Sequence, residues 1–291
     1  MVVTYPSFES AAAYALVAEL VDLAVLCRLD YAASLVFLFL SSDRWGTTLV
    51  ALGFAPSTAD PSLFIDTSLP LFYVLVYIDD LVFAIADREA LALVKAELQE
   101  RHTCTDLGEL RSYLGLQITR DKSRRTITLT QSHMVHQVLQ PFDSSWSSPE
   151  STPLATGHSL SAPPSNESIE PSGLYPELVG CLMYLMTCTR PDLACPLSLL
   201  ARYMAPGRHQ KTTHRSTQGY NFSLGAGSVS WRSMRSSFVL SPSCEAEIYA
   251  GAMAAQELRW LTYLLTDLGE RPRSPLVLYI DKKAMIALCQ Y

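Results

Sequence analysis

Asp79 and Asp80 stand side by side between two apolar runs, Leu71 to Ile78 and Leu81 to Ile85. Runs rich in β-branched and aromatic residues read as strands, and the short polar step between them reads as a hairpin turn. Two-residue turns favour Asn-Gly or Asp-Gly, because both positions need positive φ. Adjacent carboxylates repel one another and give such a turn nothing. What they offer is a pair of hard oxygen ligands at the tip of a rigid element, suited to Mg²⁺. Clustered carboxylates of this kind serve two-metal phosphoryl transfer. A solvated turn is the plain alternative, and the residues alone leave both readings open.

The elements that would hold this step follow from periodicity. Arg88 to Arg101 places Leu91, Val94, Lys95 and Leu98 at helical spacing, which predicts an amphipathic helix. Leu110 to Thr119 and Thr126 to Thr130 read as strands joined by a charged turn, with a helix from Ser132 to Leu139. Strand, strand, helix, strand, strand predicts an α+β arrangement, helices covering one face of an antiparallel sheet. A stretch dense in Ser and Pro, 143–172, reads as a linker. Beyond it, Tyr175 to Thr187 and Asp192 to Met204 predict a helix pair, and Tyr220 to Leu224 with Ser228 to Arg232 a hairpin. A long helix should start near Ser241 and Pro242 and stop at Gly269. Its expected buried stripe is Ile248, Ala252, Ala255, Leu258, Leu261, Leu265 and Leu268. Leu276 to Ile280 reads as a short buried strand ending in Asp281. On these terms Glu247 is a helix N-terminal charge favoured by the dipole, and Asp281 a helix cap.

Bulk composition narrows the class. Hydrophobic residues at 49 % and charged ones at 17 % fit a globular chain and argue against general disorder. A net charge of -6 gives no hint of nucleic-acid affinity, which comes largely from cations facing phosphates. The seven cysteines include no Cys-x-x-Cys pair, so reduced, packed thiols are expected rather than a disulfide framework or zinc site. Glu19, Asp22, Arg28 and Asp30 interrupt the apolar N-terminal region. Neither a membrane span nor a signal peptide is expected there, and the reading is a soluble intracellular protein.

Several segments in one order carry a family resemblance. Val76-Tyr77-Ile78-Asp79-Asp80-Leu81 resembles the Tyr-x-Asp-Asp box of reverse transcriptases. Leu52-Gly53-Phe54 and Ser57-Thr58-Ala59-Asp60-Pro61-Ser62-Leu63-Phe64 resemble the segment leading into it in Ty1/copia-type retrotransposon polyproteins. Asp106-Leu107-Gly108-Glu109-Leu110, Val179-Gly180-Cys181-Leu182-Met183-Tyr184-Leu185, Thr189-Arg190-Pro191-Asp192 and Leu199-Leu200-Ala201-Arg202-Tyr203-Met204 are similar to the same family. Arg215 to Tyr220, Ser228 to Ser233 and Ser243-Cys244-Glu245-Ala246-Glu247 resemble its ribonuclease H part.

The resemblance implies a divergent N-terminal segment (1–50), a partial reverse-transcriptase palm (51–142) and the Ser/Pro linker (143–172). A helical connection (173–214) and a truncated ribonuclease H-like α/β domain (215–291) follow. It implies that Asp79 and Asp80 bind catalytic Mg²⁺, with Mn²⁺ as a substitute, and that Glu247 and Asp281 are two of the ribonuclease H carboxylates. It further implies an RNA template or RNA–DNA hybrid as partner, and no membrane.

The pattern also breaks. The family's third polymerase aspartate has no matching segment, Asp22 and Asp30 being the nearest candidates. Thr213-His214 runs straight into Arg215, where the family carries a helix and the first ribonuclease H strand with its aspartate. Losing that strand should leave its neighbours without hydrogen-bond partners. Partial carboxylate sets predict impaired catalysis, since two-metal chemistry depends on ligand placement. The competing expectation is a non-catalytic module that binds nucleic acid or a partner, with Arg120, Lys122, Arg124 and Arg125, or Arg208, Lys211 and Arg215, as its cationic footprint.

Overall fold

The computed structural model describes residues 2–4, 44–69, 71–85, 87–121, 123–124, 126–140, 150–154, 174–204, 215–224, 227–236, 244–270, 276–280 and 286. Among the described residues it is a mixed α+β fold with three sheets. The first orders β2 (Phe54–Pro56), β3 (Leu63–Asp66), β4 (Tyr73–Tyr77) and β5 (Asp80–Ala84), antiparallel throughout. The second is the meander β6 (Ser112–Tyr113), β7 (Leu116–Asp121) and β8 (Thr126–Thr130). The third orders β1 (Val2–Thr4), β9 (Thr217–Leu224) and β10 (Gly227–Arg235).

β4 explains its own sequence. It is flanked by β3 and β5 and apolar on both sides, so Tyr73 to Val76 are all buried instead of alternating. Phe64, Phe72, Val74 and Val76 face one core with Trp45 and Leu49 of helix α1 (44–51) and Leu98 of helix α2 (Arg88–Arg101). α2 begins where the Asp87 carboxylate accepts from the Glu89 and Ala90 N–H groups. Leu63, Tyr73, Leu75, Val82 and Ala84 face a second core on the opposite side of the sheet.

That second core corrects the expectation of helices on one face only. It joins the first sheet to Tyr113 and Ile118 of the meander, to Phe222, Leu224 and Val229 of the third sheet, and to Leu261, Leu264, Leu265 and Leu268 at the end of a long helix. A sheet this apolar cannot leave either face to water. Each large aliphatic side chain buried there contributes about 1.5–3 kcal/mol of transfer free energy.

The connecting helices are α3 (Ser132–Leu139), α4 (Leu174–Cys188) and α5 (Ala194–Leu200), and the long helix is α6 (Cys244–Asp267). The helix expected over Asp192 to Met204 is broken into 3₁₀ turns at Pro191–Leu193 and Ala201–Tyr203 flanking α5. The strand expected over Leu110 to Thr119 is also split. Leu114 and Gly115 take φ of 47° and 72° and make a tight turn between β6 and β7.

α6 departs from its expected register in its first half. Ile248, Ala252 and Ala255 are exposed, while Ala246, Ala250 and Ala254 are buried. The helix packs against β9, and Ala254 lies in one core with Phe222 and Leu224 of that strand. The second half follows the expected stripe, and Gly269 ends the helix at φ 81° with Glu270 N–H donating to the Leu265 carbonyl.

β9 is not left bare on its outer side. Val2, Val3 and Thr4 pair with Asn221, Phe222 and Ser223 in parallel. The buried strand expected over Leu276 to Ile280 does not form: these residues are extended chain, with Val277 and Tyr279 more than half exposed. Their alternating burial survives, but no described strand pairs with them. Most of the Ser/Pro stretch, the expected helix start at Ser241 and Pro242, and the segment from Asp281 onward, Ile286 aside, lie outside the described residues. Among the described residues no disulfide joins Cys104, Cys181, Cys188 or Cys195. No described helix is long and apolar enough to cross a membrane.

Candidate metal-binding hairpin

The β4–β5 hairpin turns one residue earlier than its carboxylate pair suggests. Tyr77 pairs with Asp80, so Ile78 and Asp79 form the turn and Asp80 opens β5. Ile78 sits at φ 54°. A β-branched residue in the left-handed region is strained, because its Cβ crowds the backbone. A positive φ at a two-residue hairpin turn matches strand twist and holds the tip tightly.

Both carboxylates are exposed at that tip. Directly paired residues of an antiparallel ladder point to the same face. Asp80 therefore shares a face with Tyr77, and inboard of them lie the pairs Leu75–Val82 and Tyr73–Ala84. The Tyr77 ring meets the Tyr113 ring edge-on at 6.4 Å between centroids.

Two hard oxygen donors at a rigid tip match part of a Mg²⁺ site. Among the described residues no group of three or more His, Cys, Asp or Glu side chains gathers around a common point. The donor set fits a metal in part, and no third carboxylate joins it among the described residues. Asp22 and Asp30 lie outside the described residues.

Glu247 is half-buried in the first turn of α6, beside exposed Glu245. Asp281 lies outside the described residues, so the expected pairing of these two acids has no described geometry. A different acid on the same helix does make a tertiary contact: Glu257 accepts from the buried Ser230 hydroxyl at 2.8 Å. Of the cationic clusters, Lys122, Arg125, Arg208 and Lys211 also fall outside the description. Arg124 lies 3.8 Å from Asp121, whose carboxyl is held below its usual range, chiefly by the Ser123 hydroxyl.

The structural residue that motif reading passes over is Asp267. Its Oδ2 accepts from the Ser57 hydroxyl at 2.6 Å, the Thr58 N–H at 2.9 Å, the Thr58 hydroxyl at 3.1 Å and the Ala59 N–H at 3.3 Å. The Trp260 indole donates to the Ala59 carbonyl at 3.0 Å. Tyr73 donates its hydroxyl to the Leu268 carbonyl at 2.7 Å. One signal existed: a carboxylate in the last turn of a helix opposes the dipole, and needs donors from elsewhere.

Known proteins are similar to this chain in the segment that carries the hairpin. Residues 41–156 match the family model of reverse transcriptase (RNA-dependent DNA polymerase). The Pol polyprotein from transposon TNT 1-94 of Nicotiana tabacum is 28 % identical over 259 residues, covering 74 % of this chain. The chain is similar to Ty1/copia-type Pol polyproteins. A second such polyprotein, from transposon RE1 of Arabidopsis thaliana, is 27 % identical over 283 residues and covers 83 % of the chain. Each alignment takes in 19 % of the relative, so the chain spans about a fifth of those polyproteins. An uncharacterized mitochondrial protein of Arabidopsis thaliana is 25 % identical over 233 residues, and 93 % of its length is covered. No solved structure matches the chain.

Proposed function

We propose that this chain is a remnant of a copia-type reverse transcriptase and ribonuclease H, derived from an RNA-directed DNA polymerase and impaired in catalysis. The observation that carries the reading is the Asp79–Asp80 pair, exposed at the tip of a tight hairpin inside the matched family segment. Asp79 and Asp80 are the residues that would hold Mg²⁺, which supplies charge stabilisation for phosphoryl transfer when bound. Ile78 and the ladder behind it fix where the two carboxylates point. The impairment is read from the sequence, where the family's third polymerase aspartate has no matching segment, and partial ligand sets lose the alignment that two-metal chemistry requires. Glu247 and Asp281 are assigned the corresponding place in a vestigial ribonuclease H half, acting on an RNA–DNA hybrid. Support for that half is the run of matches that extends past residue 156, since the aligned share of the chain is far larger than the family segment.

The test is primer extension on an RNA template by the purified chain, with Mg²⁺ and separately Mn²⁺, against Asp79→Asn. The expected result is no extension above that control from a folded chain. Extension that Asp79→Asn abolishes would show a completed active site and overturn the impairment.

A further inference from the structure

Charge is spread unevenly along this acidic chain. Residues 193–244 hold six of the 22 Lys and Arg side chains and no Asp or Glu, so all 28 acids lie elsewhere. Strand register and one hydrogen bond bring two of these cations together. Thr217 of β9 pairs with Arg235 of β10, and directly paired residues point to the same face. Arg202, in the 3₁₀ turn after α5, reaches that face as well. Its Nη2 donates to the Thr217 hydroxyl at 3.5 Å and its Nε to the Ser198 carbonyl at 3.1 Å. Trp231 lies on the same side of β10, and its indole donates to the Met186 carbonyl of α4 at 3.0 Å. The face is therefore the one turned toward the connecting helices. Past Arg235, the Ser236 N–H donates to the Ser216 carbonyl at 2.9 Å, which sets Arg215 at the same end of the hairpin.

Arg202 and Arg235 are half-buried and Arg215 is exposed. Burial holds the Arg235 guanidinium below its usual range, and the charges of Arg202 and Arg215 push it further down. The three cations thus lie close enough to repel one another. Among the described residues, no carboxylate pairs with Arg202 or Arg215. A guanidinium carries five N–H donors, so Arg202 keeps donors beyond its two bonds. Guanidiniums gathered in this way are unfavourable alone and favourable around a phosphate, whose oxygens accept paired N–H donors. A single free anion would need only the cluster. The acid-free stretch runs through both strands of the hairpin, a longer surface that does not repel a polyanion.

We propose that Arg202, Arg215 and Arg235, with the Thr217 hydroxyl, form a phosphate-binding site for the backbone of a nucleic-acid strand. The choice of a nucleic acid rests on the proposed function, but the site needs no metal at Asp79 or Asp80. Contacts of this kind hold a strand without reading its bases, so binding should be independent of sequence and weakened by salt.

The test measures anisotropy of a labelled RNA–DNA duplex with the purified full chain across a salt series. Arg202→Gln and Arg215→Gln should each weaken binding about tenfold in low salt and lower the slope of log affinity against log salt by about 0.9. Arg88→Gln, an exposed cation at the start of α2, should leave both unchanged. Arg215 is exposed, so its variant carries the test where Arg202→Gln folds poorly. Three outcomes overturn the site: no salt-dependent binding by the parent chain, equal losses in Arg88→Gln and Arg215→Gln, or inorganic phosphate bound where duplex is not. Asp79→Asn should bind duplex like the parent. Primer extension and duplex binding therefore give separate readouts, and an active polymerase would leave the arginine site standing.

Discussion

The Ser57 hydroxyl and the Asp267 carboxylate are 2.6 Å apart across 210 positions of sequence, and their bond ties the first sheet to the last turn of the long helix. Asp267→Ala leaves the Thr58 and Ala59 N–H groups without this acceptor, so a loss of about 1–3 kcal/mol is expected. Asp267→Asn keeps an acceptor oxygen and should cost less. Urea unfolding of the two variants checks the order. Equal losses would mean that charge rather than acceptor geometry sets the strength of the contact.

Tyr73 carries a pH prediction. Burial, with the Glu270 charge adding to it, pushes its phenol up to about 12 from 10.0. The folded state keeps the proton while the unfolded chain gives it up, so this contribution is whole below pH 10 and is lost as pH rises toward 12. Tyr73→Phe removes both the titration and the bond to Leu268. The stability difference between parent and variant should therefore shrink over that window. A difference that stays flat between neutral pH and pH 12 would show Tyr73 ionising freely in the fold.

How much of this was legible beforehand differs between local and tertiary features. Helices α2 and α3 run over the residues expected for them, because helical spacing of apolar residues is a local signal. The Asp79–Asp80 hairpin was legible as a hairpin but not in register, since a strained Ile78 in the turn contradicts the residue preferences that place turns. The first half of α6 was misread for a related reason. Ile248 is the more hydrophobic choice, yet the smaller Ala246, Ala250 and Ala254 are the buried positions. The pairing of Val2 to Thr4 with β9, and the lack of pairing at 276–280, depend on partners distant in the chain that no local pattern encodes. Asp79 and Asp80 stood out through chemistry, whereas Asp267 emerges only once the helix has been docked.

Gly219 offers a sharper packing test. A Cβ placed there would meet the Arg232 carbonyl oxygen at 2.3 Å, and this is backbone that cannot swing aside. Gly219→Ala should cost about 1–3 kcal/mol through forced separation of β9 and β10. Gly227, at the start of β10, has nothing within 4 Å of its added Cβ. Gly227→Ala should be close to neutral on the same thermal-unfolding measurement. If the two substitutions lowered the midpoint equally, the close strand approach at Gly219 would be wrong.

Ile78 supplies the last prediction, because strain and carboxylate placement meet there. Its φ of 54° is disfavoured for a β-branched side chain by roughly 1–2 kcal/mol, a cost that asparagine largely escapes. Its side chain is only half-buried, so little apolar contact is lost on replacement. Ile78→Asn should then unfold at an unchanged or higher temperature, against the general trend for replacing isoleucine with a polar residue. Val82→Asn, at a position 7 % exposed on the neighbouring strand, should be strongly destabilising under the same conditions. A drop for Ile78→Asn comparable to that of Val82→Asn would mean that Ile78 acts as a packed core residue. The turn would then be held by its apolar contacts, and the strained backbone would not be what keeps Asp79 and Asp80 at the tip.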